Sequence, residues 1–352
     1  MTANRTIRIG ARDIGPGHPA YVIAEAGSNH NQDLATALKL IDVAAAAGAD
    51  AVKFQTFRAD ALVARTSHPI ATLKDEFGRY GRTVHEMFTA VEMPLDWLPR
   101  LRDHATTRGI TFLSTPFDEL SADLLLDLGM DAFKVASYEM VHLPLLRHLA
   151  KTGKPVLLST GMASLGEIEE ALDAISGEGN TQIALFHCPI GYPVSPPDVH
   201  LAVIDTLRQA FGVPVGLSDH TRGVAIPIAA VARGANLIEK HFTLDAASAG
   251  PDHGFAIEPG ELAAIVQGVH DVEQAVGDPH KRCLPSEQLH YERGRRSLFA
   301  AVDIAAGQTL TRDMIAVLRP GIGLPPKYLD RLVGRPARRP LRAFDPITWD
   351  DV

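Results

Sequence analysis

From residue 20 to residue 276 the chain alternates two kinds of stretch. Short, continuous apolar runs come first in each pair: Tyr21–Ala26, Ala51–Thr56, Thr111–Ser114, Ala132–Ala136, Pro155–Ser159, Ile183–His187, Val215–Thr221 and Leu237–Phe242. Runs of this length read as strands buried on both faces. Each is followed by a longer stretch with helical spacing: Leu34–Ala47, Leu95–Arg108, Ser121–Leu128, Leu143–Lys151, Ser164–Ser176, Val199–Ala210, Val224–Arg233 and Pro259–Val276. Ser121 and Ser164 are expected to cap their helices, Ser164 in a capping box with Glu167. Eight strand–helix pairs in about 250 residues predict an α/β fold, a (β/α)8 TIM barrel. An open doubly wound sheet would carry a glycine-rich first turn. Here that turn reads Glu25-Ala-Gly-Ser-Asn-His30.

The alternation is broken twice. A polar excursion, Phe57–Pro94, separates the second strand from its helix. After Val276 the chain turns polar over Gly277–Arg296 and reads as a linker. Short β-like runs follow at Leu298–Val302, Ile304–Gly307, Ile315–Leu318 and Pro320–Gly323. The expected organisation is a barrel over residues 1–280, a linker over 281–296 and a small β-rich module over 297–352. A module of that size is marginal alone and gains from docking.

Composition narrows the function. Apolar residues make up 46% of the 352, enough for a full core, and the net charge is −8 with both signs interspersed. No basic stripe suggests nucleic acid or a membrane surface. Arg293–Arg296 and Arg335–Arg339 read as solvated surface. Cys188 and Cys283 suggest no disulfide framework, which fits a reducing cytoplasm. Met1–Gly10 has no apolar signal core, and no run is long enough to span a membrane.

In a parallel barrel the C-terminal strand ends converge on one site. Two of them end in histidine, His220 and His241, and two neutral imidazoles can share a divalent metal. Unrelated polar strand ends are the competing account of that pair. Lys53 and Lys134 sit inside apolar runs, where lysine is rarely buried unpaired. With Thr115, Ser137 and Ser159 they suit a phosphate or carboxylate. Ser159-Thr-Gly-Met162 before a capped helix adds backbone donors. Glu25, Glu139 and Asp252 are candidates for acid–base work or for binding sugar hydroxyls, though each alone could be an ordinary loop acid. Cys188 beside His187 suggests a thiol nucleophile, but a small buried cysteine after a strand is commoner.

Together these segments resemble the sialic acid synthase family, which includes N-acetylneuraminate, pseudaminate and legionaminate synthases. The resemblance rests on Ile23–Asn31, Gly48–Thr56, Phe112–Asp118, Lys134–Glu139, Lys154–Met162, Gly216–Thr221, Glu239–Phe242, Gly250–His253 and Arg319–Gly323. It covers nearly the whole chain, in order. It implies a barrel followed by an antifreeze-like (SAF) domain, assembled as a domain-swapped homodimer. It implies condensation of phosphoenolpyruvate with an open-chain N-acetylated hexosamine, an amino-sugar aldose, to give a nine-carbon 2-keto acid. His220 and His241 are implied metal ligands, usually for Mn²⁺, with Mg²⁺ or Co²⁺ as alternatives. Lys53, Thr115, Lys134, Ser137 and Ser159 are implied to hold phosphoenolpyruvate. Gln55, Glu139, Tyr192 and Asp252 are implied to hold the sugar, joined by Arg319 from the partner subunit. Glu25 is implied to be an acid near the reacting atoms.

The sequence departs from that family in places. Ile190 stands where Ser or Asn is usual, and Gln32 where Gly is usual. Gly81–Met87 and Met93–Trp97 are similar to the pseudaminic type, whereas Gly250–Gly254 is similar to the sialic and legionaminic types. Two other readings therefore stay open: the same condensation with another aldehyde in specialised metabolism, and a non-catalytic sugar-phosphate binder.

Overall fold

The computed structural model describes residues 6–74 and 78–352. Part of the excursion 57–94 and the first residues of Met1–Gly10 lie outside the described residues. The chain divides into two compact units, Met1–Gly277 and Asp278–Val352.

The first unit opens with a hairpin, β1 (Ile7–Ile9) and β2 (Arg12–Ile14). Its alternate residues Ile7, Ile9 and Ile14 are buried in the main core. Its polar groups meet residues that lie just before three barrel strands. Arg8 N–H donates to Gln182 Oε1 at 3.1 Å, Arg12 pairs with Asp50, and Gly10 faces Asp131. The hairpin therefore lies across the N-terminal end of the barrel.

The barrel strands are β3 (Tyr21–Gly27), β4 (Ala51–Thr56), β5 (Thr111–Pro116), β6 (Phe133–Val135), β7 (Val156–Ser159), β8 (Ile183–His187), β9 (Val215–Asp219) and β10 (Leu237–His241). Seven parallel ladders join them in the order β5-β4-β3-β10-β9-β8-β7-β6, which gives the expected eight-stranded, nearly closed barrel. Almost every strand position is buried. Each fully buried Val, Leu or Ile contributes about 1.5–3 kcal/mol, so the apolar runs themselves drive closure.

Helices pack outside. Leu143–Lys151 and Pro259–Val276 keep their expected bounds, and Ser164 caps Leu165–Ser176 in a capping box with Glu167. One cap is corrected. Asp118, not Ser121, is the N-cap of Glu119–Asp127, because its Oδ1 accepts from Ser121 N–H at 2.8 Å. The excursion is not structureless: Val84–Val91 is helical, capped by Thr83.

In the second unit the polar stretch before the module carries a short helix, Gln288–Gly294. Strands β11 (Ser297–Ala300) and β12 (Ile315–Leu318) pair antiparallel. Ile304–Gly307 does not form the expected strand. Ile304 makes a single bridge to Leu341, and Gly307 turns the chain with φ 79°. Leu298, Leu310, Ile315, Leu324, Leu332, Leu341 and Ile347 form a separate core.

Candidate active site

Side chains alternate along a strand, so parity decides which strand-end residues face the barrel axis. The register places Lys53, Glu25 and His241 abreast on β4, β3 and β10. Glu239 stands two residues before His241 on β10 and faces the same way. The residues that line one cavity at this end include Glu25, Lys53, Gln55, Thr115, Lys134, Ser137, Ser159, Tyr192, His220 and His241. Ten of the thirteen candidates thus come together. Glu139 ends the short helical turn that begins at Ser137, and Asp252 Oδ2 lies 3.7 Å from His241 Nδ1. Arg319 directly follows β12 in the second unit.

The floor is a buried charge cluster. Lys53 Nζ lies 2.8 Å from Glu25 Oε2, 3.7 Å from Glu239 Oε2, and donates to Thr115 Oγ1 at 3.0 Å. Lys134 Nζ donates to Ser159 Oγ at 2.5 Å and lies 3.8 Å from Glu239 Oε1. Ser218 Oγ donates to the same Oε1 at 2.8 Å. Gln55 Nε2 donates to Glu25 Oε1 at 2.9 Å. Ser137 Oγ accepts from Gly161 N–H at 3.0 Å.

Glu239 is therefore the hub between both lysines, and together with Ser218 it had no assigned role in the candidate set. The signal was its i, i−2 spacing from His241 on one strand. The same parity separates Lys240 and Asp219, which pair at 2.6 Å away from the axis.

The electrostatics follow from burial and neighbours. Burial raises the Glu25 carboxyl, and Glu239 adds to this against the pull of Lys53. Burial also works against the charge of Lys53, but Glu239 and Glu25 outweigh it and raise its pKa. Lys134 is lowered, first by burial. Burial works to raise Glu239, yet Lys134 and Lys53 hold it down at about 2. Glu139 is raised to about 7 by burial, and its Oε2 has no hydrogen-bond partner. The cluster thus sets the Lys53 and Lys134 amines beside hydroxyls in a buried site, an arrangement suited to an anion.

The two imidazoles stand 5.4 Å apart between ring centroids. His220 Nδ1 lies 3.0 Å from the Pro189 carbonyl, a contact that orients the ring and leaves Nε2 as the free lone pair. His241 Nδ1 is buried without a partner, 3.7 Å from Asp252 Oδ2. Burial lowers both histidines, His241 to about 3, so both are neutral at pH 7. This donor pair suits a divalent cation with open positions for substrate oxygens. Among the described residues there is no group of three or more His, Cys, Asp or Glu arranged to hold a metal.

Local backbone shapes both ends. Strand β3 shifts register between Glu25 and Gly27. Gly27 has φ 51°, and a Cβ there would meet Asp252 Oδ2 at 2.8 Å, so only glycine lets Asp252 approach His241. A Cβ at Gly161 would lie 2.4 Å from the Cys188 carbonyl and 2.8 Å from Ile190 Cδ1. The thiol-nucleophile idea finds no support. His187 Nε2 lies 2.6 Å from the Val199 carbonyl and the residue does not line the cavity, whereas Cys188 does.

A barrel with buried lysines, carboxylates and paired imidazoles at its C-terminal strand ends defines an enzyme site for an anionic substrate. The NeuB family matches residues 40–281, and the SAF domain matches residues 295–352. The N,N'-diacetyllegionaminic acid synthase of Legionella pneumophila is 38% identical over 100% of this chain and 99% of its own. The crystal structure of spore coat polysaccharide biosynthesis protein SpsE from Bacillus subtilis is 38% identical, covers 99% of each chain and superposes with a TM-score of 0.68. The structure of N-acetylneuraminic acid synthetase from Leptospira borgpetersenii, in complex with citrate, is 33% identical, covers 82% of this chain and 96% of its own, and has a TM-score of 0.71. The chain belongs to the NeuB family, the sialic acid synthases, and ends in a SAF domain.

Proposed function

We propose that this protein is a phosphoenolpyruvate-dependent nonulosonic acid synthase, a transferase that joins phosphoenolpyruvate to an open-chain N-acetylated aldose and releases phosphate. The observation that carries this is the buried pairing of Lys53 with Thr115 and of Lys134 with Ser159, on the same cavity as Ser137 and two neutral imidazoles. Related synthases named for legionaminic, pseudaminic and neuraminic acid products support it.

In this reading Lys134, Ser159, Ser137 and the Gly161 amide hold one anionic group of phosphoenolpyruvate, and Lys53 with Thr115 holds the other. Neutralising both in a dry site lowers the cost of bringing two anionic groups together. The methylene carbon attacks the aldehyde carbon, water adds to the former enol carbon, and its bond to the phosphate oxygen breaks. Glu25, held between Gln55 and Lys53, accepts or delivers the proton at its carboxyl oxygen. Gln55, Glu139, Tyr192 and Asp252 orient the sugar. His220 and His241 would hold a divalent metal, Mn²⁺ by preference, which when bound supplies electrophilic polarisation of the aldehyde oxygen.

The working unit is a homodimer with swapped SAF domains, in which Arg319 of one subunit serves the other's acceptor site. No helix of the described residues is long and apolar enough to cross a membrane. With both cysteines unpaired, a cytoplasmic enzyme is the reading we adopt.

One assay tests the proposal. The protein is incubated with phosphoenolpyruvate, Mn²⁺ and a panel of aldoses, and phosphate release and product mass are followed. Release with N-acetylated aldoses is expected. Release only with other aldehydes would favour the specialised-metabolism alternative, which Ile190 at the cavity wall motivates. No release with any acceptor would leave a sugar-phosphate binder.

A further inference from the structure

Asn31 and Gln32, two consecutive residues other than glycine, hold left-handed backbone just beyond β3, with φ 49° and 53°. L side chains disfavour that region, so it persists where other contacts over-determine it. Both side chains are tied to something. Asn31 Oδ1 lies 3.1 Å from His253 Nε2, and His253 Nδ1 lies 2.6 Å from Thr243 Oγ1. Gln32 Nε2 donates to the Glu92 carbonyl at 3.2 Å, at the C-terminal end of the helix Val84–Val91. From earlier in the same excursion, Tyr80 Oη donates to the Gly250 carbonyl at 2.6 Å.

Those two anchors bracket one side chain. Asp252 lies in the turn between Gly250 and His253, and Ser28 Oγ donates to its Oδ2 at 3.3 Å. The excursion thus grips the turn that presents Asp252 on one side through Tyr80, and the neighbouring β3 turn on the other through Gln32. Gln32 is exposed and fills no core, so the hydrogen bond of its side chain is the account of why a non-glycine residue stands in that backbone.

We propose that Tyr80 and Gln32 are positioning residues that hold the Asp252 turn in register, and that the excursion thereby selects the acceptor aldose. The proposal rests on the reading that Asp252 meets the acceptor. Neither residue touches the phosphoenolpyruvate side of the cavity, so they act on one substrate and not the other.

The test compares wild type with Tyr80→Phe and Gln32→Gly in the full chain. Kinetics with phosphoenolpyruvate, Mn²⁺ and the accepted aldose are expected to show the aldose KM raised about three- to tenfold in each variant, the loss of one hydrogen bond. The phosphoenolpyruvate KM and kcat should stay within about twofold. Gln32→Gly should melt no lower than wild type, because glycine relieves the left-handed backbone. Amide exchange at Phe255 and Ala256, whose N–H groups bond to the Asp252 carbonyl, should speed up in both variants. Unchanged exchange, or both KM values rising in parallel, overturns the proposal. If wild type turns over no aldose, the functional reading fails instead, and the exchange rates still decide whether the excursion holds the turn.

Discussion

Replacing Glu239 by glutamine tests the charge balance on which the site stands. The amide keeps the shape and an oxygen for Ser218, but removes the one charge that faces both lysines. Glu239 is 4% exposed, and Lys53 and Lys134 are each 3% exposed, so water cannot take over its role. Two routes give the magnitude. Holding the carboxyl at about 2 rather than 4.5, at about 1.4 kcal/mol per pH unit, contributes roughly 3 kcal/mol. Breaking a buried ion pair by removing one partner costs about 3–5 kcal/mol. Lys53 keeps Glu25 at 2.8 Å, which favours the lower end. The sign is that of a carboxyl with a depressed pKa. The stability is present above pH 4.5 and is lost as pH falls towards 2, so all of it is at stake at pH 7. The assay is urea unfolding of the full chain at pH 7 in a Trp349→Phe background, where Trp97, packed on His30, reports on the barrel. The expected loss is roughly 3 kcal/mol, and inorganic phosphate should offset more of it in the variant than in wild type. A loss below about 1 kcal/mol would refute the reasoning, because it would mean that the lysines do not depend on this carboxylate.

Three other outcomes follow from the same geometry. Glu139, raised to about 7, should make wild type lose up to roughly 3 kcal/mol relative to Glu139→Gln as pH rises from 4.5 through 7, read from denaturation midpoints at each pH; a constant gap would contradict it. Gly161→Ala should drive a methyl into the Cys188 carbonyl, cost about 1–3 kcal/mol and raise the phosphoenolpyruvate KM at least tenfold, as checked by thermal melts and steady-state kinetics. Arg319→Ala should raise the acceptor KM with folding kept; a monomeric, fully active chain ending at Gly277 would remove the swapped-dimer proposal.

The barrel was legible because its strands are buried on both faces. Runs such as Ile183–His187 have no polar face to blur them, and that strand matches residue for residue. The hairpin Ile7–Ile14 was not legible, because its strands of three residues are shorter than any periodicity. The helix Val84–Val91 was hidden in a polar excursion and depends on its Thr83 cap. Ser121 was read as a cap from its residue type, but it is Asp118 that has the extended backbone of an N-cap and accepts from Ser121 N–H. In the site, the lysines stood out as charges inside apolar runs. Glu239 did not, since a string of Glu, Lys and His at one strand end gives no rank until the alternation is applied. The pairing of Tyr80 with Gly250 lies 170 residues apart in sequence and leaves no local signal.

The central claim is that carbon–carbon bond formation is coupled to cleavage of the bond between the enol carbon and the phosphate oxygen. Turnover in ¹⁸O-water with phosphoenolpyruvate, Mn²⁺ and an N-acetylated aldose tests this directly, with the released phosphate and the sugar acid both read by mass. The account predicts unlabelled phosphate together with a product that carries both carbon skeletons. Phosphate that carries one ¹⁸O, with the aldose recovered unchanged, would mark hydrolysis at phosphorus and contradict it.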